Sequence, residues 1–272
     1  LKPKVFHGFR LANPINLQSP HTSNCHNLFS MLFTDALTEY LYDAKLAGLV
    51  FDILQNEVGY TLQFFGYNHK MGCFIKRVLE RLASYKIDPH RFAIQKERFE
   101  RWLKSYKTQP LYKLVNYYNG LMIYEDTFTY EERIAVLDKL TLESVQAFWT
   151  DFMKTMSVDA LMYGNLSKAS ADETVKIFRD NFLVKTTPLA SDLPKTLREV
   201  QLPTNSSHLL EAVNEVQTMK AILTYYQVSN DYGDRCCLCI IDQILSEPFF
   251  DYLRTKEQLG YIVFSKYHQN FG

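Results

Sequence analysis

Residues 70 to 155 read as helix almost throughout, in four or five pieces, while the segments on either side alternate like strands. Consecutive helices inserted between strands exclude a strict succession of βαβ units. They favour an α+β layer architecture over a parallel doubly wound sheet. Ahead of the run, Val58, Tyr60, Leu62 and Phe64 alternate with Gly59, Thr61 and Gln63. That period of two predicts a half-buried strand, paired in a hairpin with a strand over 49–54. A further strand is expected over 5–12. A helix is expected from near Ser23, because Leu28, Met31, Leu32, Leu37 and Leu41 recur at helical spacing.

Within the helical run, Pro89 after Asp88 marks a first turn. The stripe Phe92, Phe99, Trp102, Leu103 and Tyr106 marks the apolar face, and Glu97 with Arg101 and Glu100 with Lys104 form i to i+4 pairs opposite it. Thr141 caps the next helix, which turns Val145, Phe148, Trp149 and Phe152 inward. A strand over 158–163 then meets Gly164-Asn165. Ser167 or Ser170 opens a helix with Ala171, Val175, Phe178 and Phe182 on its inner face.

Between 186 and 203 the helical pattern fails and Pro188, Pro194 and Pro203 punctuate a polar stretch, which places a domain boundary near 195–200. Strands are expected beyond it at about 207–214 and 219–228, then a helix from about 232 to 256 and a strand over 261–268. Residues 40–51 (YLYDAKLAGLVF) and 252–264 (YLRTKEQLGYIVF) match with one gap, which suggests two copies of one domain type. Only the second copy carries Arg254. The chain begins at Leu1 without an initiator Met and stops at Gly272 after a strand-like alternation, so an excerpt from a longer protein is expected.

Thirty basic side chains balance thirty acidic ones, so the net charge offers no long-range attraction to nucleic acid or to an acidic membrane. No run approaches the roughly 20 apolar residues needed to span a bilayer. No nucleic-acid or membrane partner is expected, and the chain reads as soluble. Five cysteines, three crowded at Cys236, Cys237 and Cys239, do not form a disulfide framework or a zinc pattern. They read as buried free thiols in a reducing compartment. The seven histidines include no H-x-x-E-H or H-E-x-x-H spacing, so no metal site is expected within the chain. Phosphate-binding glycine motifs and a G-x-S-x-G elbow are also absent.

Two features retain possible chemistry. Residues 70–107 hold eleven Lys or Arg against four acids, which suits an anion or peptide-carboxylate site and equally suits the solvated face of amphipathic helices. In the second, SEPFFDYLRTKEQLGYIVFS at 246–265, Arg254 lies near a helix end and Tyr261 opens the following strand after Gly260. A guanidinium fork and a phenol are donors suited to a carbonyl or a developing oxyanion. Taken alone, the residues also allow a plainer reading, in which Arg254 offsets the helix dipole and Tyr261 packs in a strand.

The run LRTKEQLGYIVFS, with EVQLP at 199–203, YGNLSK at 163–168 and EYLYDAKLAGLVFDI at 39–53, resembles the C-terminal half of the insulinase family of inverzincin-type zinc metallopeptidases. The resemblance implies metallopeptidase-type α/β roll domains, one near-complete and one partial. Residues 1–198 would be a noncatalytic third domain lacking its first strands, and 199–272 the beginning of a fourth. It implies a peptide-enclosing zinc metalloendopeptidase, with this segment as chamber wall and the zinc bound outside this chain. His26-Asn27-Leu28-Phe29-Ser30 would be a degenerate counterpart of the zinc motif. Arg254 and Tyr261 would reach the reacting carbonyl, and Phe250, one turn before Arg254, would bind substrate in the same pocket. Implied partners are peptide substrates and the N-terminal catalytic half, with a homodimer left open and a cytoplasmic location. The isolated chain would be inactive. Two alternatives stand beside this: a noncatalytic peptide-binding or scaffold homologue, and a core-type subunit related to mitochondrial processing peptidase.

Overall fold

The computed structural model describes residues 2–193, 196–229 and 231–268. Pro194, used above as a boundary signal, and the two chain ends lie outside these. The described chain divides into two compact units, one formed by Leu1–Tyr106 with Asp126–Arg198 and the other by Lys107–Glu125 with Glu199–Gly272.

The first unit is built on a sheet in which β1 (Lys4–Ala12) runs antiparallel between β3 (Gly59–Tyr67) and β4 (Thr155–Gly164). Strand β2 (Leu49–Asn56) pairs antiparallel with β3 at one edge, and the two-residue β5 (Thr187–Pro188) pairs parallel with β4 at the other. The expected strands over 5–12, 49–54, 58–64 and 158–163 are therefore all present, in an α+β arrangement. Gly59 permits the tight turn into β3: its φ is 150°, and a Cβ there would lie 2.1 Å from the Leu11 carbonyl oxygen.

Helices cover one face of this sheet. They are α1 (Pro20–Tyr40), α2 (Tyr42–Leu46), α3 (Met71–Ala83), α4 (Pro89–Lys104), α6 (Tyr130–Ala135), α7 (Leu142–Phe152) and α8 (Lys168–Phe182), with α5 (Leu111–Ile123) belonging to the second unit. Alternation sends Val5, Phe9 and Leu11 of β1 and Tyr60, Leu62 and Phe64 of β3 into the core, where they meet Leu28, Phe29, Leu32 and Phe33 of α1. Aromatic rings set the helix positions. Phe29 stacks on Trp149 of α7 at 4.1 Å between centroids, and Phe178 of α8 stacks on Phe9 at 4.2 Å. Asn13 pins the end of β1, donating from Nδ2 to the carbonyls of Phe152 (3.2 Å) and Thr155 (2.7 Å).

The caps follow side-chain chemistry. Asp88, Thr141 and Ser167 accept from the first turns of α4, α7 and α8 as expected. Helix α1 starts earlier than its apolar spacing suggested, because Ser19 and Thr22 form a capping box with Pro20 in the first turn. On α8, Phe178 and Phe182 are buried as expected, but Thr174 is buried in place of Val175, its hydroxyl donating to the Ser170 carbonyl at 2.9 Å. On α4, Trp102 stays largely exposed while Phe99 and Leu103 are buried.

The opposite face of the sheet is open. Phe65, Tyr67, Leu161 and Tyr163 are exposed there; Phe6 stacks on Tyr163 at 4.9 Å, and the Lys4 ammonium lies 5.4 Å from the ring centres of Phe65 and Tyr67.

In the second unit, α9 (Tyr232–Phe250) leads into a π-helical turn, Asp251–Lys256, close to the expected helix limits. The strands expected at 207–214, 219–228 and 261–268 are not formed among the described residues. Their alternating apolar side chains point into solvent, with Leu209 85% and Ile222 94% exposed, and no ladder satisfies their backbone groups.

Trp149→Ala removes the ring sandwiched against Phe29 and is expected to cost about 3–5 kcal/mol in denaturant unfolding. A cost no larger than that of an exposed Trp102→Ala control would contradict this account of the core.

Candidate functional site

The segment singled out at 246–265 lies at the end of α9. Asp231 caps this helix, accepting from the Gly233 N–H at 2.8 Å. Pro248 sits inside the helix, where it has no N–H to donate to the carbonyl one turn back. Three residues later the winding widens. Glu257 N–H donates to the Tyr252 carbonyl at 2.9 Å, the i to i+5 spacing of a π-turn, and Lys256 closes an ion pair of 3.0 Å with Asp251. The chain then reverses at Gln258, whose φ is 51°; the left-handed residue is thus Gln258 rather than Gly260.

This path brings together the three residues that the sequence singled out. The Arg254 guanidinium carbon lies 5.0 Å from the Phe250 ring centre and 4.5 Å from that of Tyr261. Phe250 precedes Arg254 by one turn, so their contact follows from helical spacing. Tyr261 reaches the cation only through the reversal at Gln258. Contrary to expectation, Tyr261 opens no strand and is 81% exposed, because residues 261–268 have no pairing strand among the described residues. The corresponding stretch of the first copy, from Leu49, does form a strand because β3 pairs with it.

Cation–π contact attracts a guanidinium to an aromatic ring. The N–H donors of a guanidinium form a planar fork suited to a carbonyl or carboxylate.

The basic stretch over 70–107 resolves in part into surface pairs. Lys76 meets Glu80 at 3.9 Å, Lys96 and Lys104 meet Glu100 at 3.7 and 3.8 Å, and Arg101 meets Glu97 at 3.7 Å. Arg91 forms a two-pronged contact with Asp35 of α1, whose carboxyl it holds below the usual range. These five of the eleven cations therefore belong to a solvated helical face, worth little per pair. The crowded cysteines differ from expectation: Cys236 and Cys237 are exposed and Cys239 is half-buried, while Cys25 is buried with its thiol pushed up to about 11 by burial. The difference arises because α9 buries no complete face among the described residues.

Residues 1–136 match the sequence family described as the middle or third domain of peptidase M16, and residues 240–272 match one described as PQQ synthase PqqF-like, C-terminal lobe domain 4. Human insulin-degrading enzyme is 35% identical over 97% of this chain, and the Drosophila melanogaster protein of that name is 33% identical over 97%. The alignments take in 26% and 27% of those proteins, so the chain spans about a quarter of the length of the curated relatives it matches. Among solved structures, pitrilysin shares the fold with a TM-score of 0.60 and 19% identity, covering 65% of this chain and 19% of its own.

Among the described residues, no three of His, Cys, Asp and Glu gather into a metal donor set. His26, the candidate remnant of a zinc motif, is committed elsewhere. Its Nε2 donates to the Gly59 carbonyl at 2.8 Å, and its own carbonyl accepts from the Tyr60 hydroxyl at 2.9 Å and Gln55 Nε2 at 3.0 Å. The ring thus ties α1 to the β2–β3 hairpin. Burial, reinforced by nearby Arg133 and opposed by the Gly59 bond, lowers its pKa from 6.5 to about 4. Between these values the unfolded chain takes up a proton that the folded chain refuses, so stability falls as pH drops from 6.5 to 4, by about 3 kcal/mol for this group. The His26→Gln variant is expected to lack this share of the slope in urea midpoints measured across that window; an unchanged slope would place the titration elsewhere.

Proposed function

Because the chain belongs to the M16 peptidase family, we propose that it is a segment from the C-terminal half of an insulinase-like zinc metalloendopeptidase that encloses and cleaves peptides. In this reading residues 1–198 are the third domain of the parent and 199–272 begin the fourth. The unit boundary at Arg198 and Glu199 and the domain-4 match over 240–272 support it, while Lys107–Glu125 group with the second unit rather than with the rest of 1–198. The open aromatic face of the β2–β3–β1–β4 sheet is the wall presented to the peptide: its exposed rings offer apolar contact, and its free edge on β2 needs no side chain of fixed sequence.

Arg254 and Tyr261 are the residues this segment gives to the reaction. The observation that carries their assignment is the approach of the Arg254 guanidinium to the rings of both Phe250 and Tyr261 beside a π-turn. The Arg254 fork binds the peptide carbonyl from its edge, and the Tyr261 hydroxyl donates to the same oxygen as negative charge gathers there. Phe250 contributes an apolar wall for the substrate side chain. In this reading the zinc of the parent is held by residues beyond this chain. The chain by itself hydrolyses no peptide in this reading. A cytoplasmic location, peptide substrates and the N-terminal half as partner belong to the same proposal.

In the full-length protein, Arg254→Lys and Tyr261→Phe are each expected to lower kcat/KM for peptide hydrolysis by about 10²-fold or more, mostly through kcat, since Lys lacks the planar fork and Phe the donor. Parental rates in both variants would overturn the roles. Peptide binding without any hydrolysis by the parent would assign the protein to the noncatalytic peptide-binding class instead.

A further inference from the structure

Five of the eleven cations in the basic stretch are matched to acids, and Arg81 lies over the Tyr40 ring at 5.6 Å. Lys70 and Arg77 differ from these. Among the described residues neither has an acidic partner within ion-pair distance, and they line the same cavity, of about 310 Å³, where the ends of α1, α2 and β2 meet α3. Its floor is apolar, made by Leu41, Ala44, Leu49 and Phe74, and Cys73 and Tyr40 complete the wall. No acid lines it.

The placement follows from helical geometry. Lys70 immediately precedes α3, and positions 70, 73, 74 and 77 fall on one face of that helix. Lys70 and Arg77 therefore share a helical face with Cys73 and Phe74, and all four residues line the cavity. An apolar recess bordered by two cations without counter-charge suits a ligand with an apolar body and one anionic head.

We propose that this cavity binds an apolar carboxylate, with its apolar body against Leu41, Ala44, Leu49 and Phe74 and its carboxylate between Lys70 and Arg77. The ligand's source is either the free C-terminal residue of a peptide or a small organic acid. The site is separate from Arg254 and Tyr261 and does not rest on the peptidase reading, so it stands or falls without it.

The test uses the full-length protein with N-acetyl-glycyl-phenylalanine, its C-terminal amide and 3-phenylpropionate, followed by calorimetry and by the rate at which N-ethylmaleimide alkylates the exposed Cys73. The free acid is expected to bind about tenfold or more tightly than the amide and to slow alkylation of Cys73, and Lys70→Met and Arg77→Met are each expected to weaken it by roughly tenfold. Lys96→Met, which removes a cation paired outside the cavity, should leave binding unchanged. Equal binding of acid and amide, no protection of Cys73, or an equal loss in Lys96→Met would overturn the proposal. Tighter binding of the dipeptide than of 3-phenylpropionate assigns a peptide terminus as the source, and equal binding assigns a small acid.

Discussion

Strand β1 is the constraint on which the first unit depends. Its nine residues satisfy backbone groups of β3 on one side and β4 on the other, joining segments separated by most of the unit's length. Closing loops of that size costs entropy that grows only slowly with length, and the two ladders together with the buried Phe9 and Leu11 offset it. Once β1 is placed, α1 is fixed through the core, α7 through the Phe29–Trp149 stack, and α8 through the Phe9–Phe178 stack. The second unit has no equivalent strand among its described residues, and its apolar alternation at 207–228 stays unpaired as a result.

The contrast marks what could be read from the amino acids alone. Strands β2 and β3 were legible because the alternation at 58–64 and a short connection make a local hairpin. The caps at Asp88 and Thr141 were legible because a side chain and the N–H it accepts are three residues apart. The same alternation at 219–228 misled, since period two specifies only which side chains share a face. It does not supply the neighbouring strand that makes a ladder. Burial on α8 misled for a related reason: a reading by apolar residues alone passes over Thr174, whose hydroxyl is satisfied within its own helix.

The candidate site divides in the same way. Arg254 and Phe250 are one helical turn apart, and their contact could have been drawn from spacing. Tyr261 was singled out by its motif, but its approach to Arg254 depends on the π-turn after Pro248 and on the left-handed Gln258, neither of which leaves a pattern in composition or periodicity. The basic stretch shows the limit most clearly. Eleven cations look alike in sequence, and their separation into paired surface charges and cavity-lining charges depends on which helical face meets Glu80, Glu97, Glu100 or Asp35.

The arginine between two rings has a further consequence for a chain of zero net charge. A guanidinium exposed to water on both faces is free to reorient and must shed ordered solvent before it binds. Contact with two rings removes part of that freedom in advance, so less entropy is lost when a carbonyl arrives. Phe250 then matters twice, as an apolar surface and as a group that holds the cation. Because attraction between a cation and a ring quadrupole involves no counter-charge, it holds Arg254 without neutralising it. A carboxylate in the same place would hold the arginine as firmly but neutralise its charge and take up its donors, whereas two aromatic rings accept no hydrogen bond of that strength.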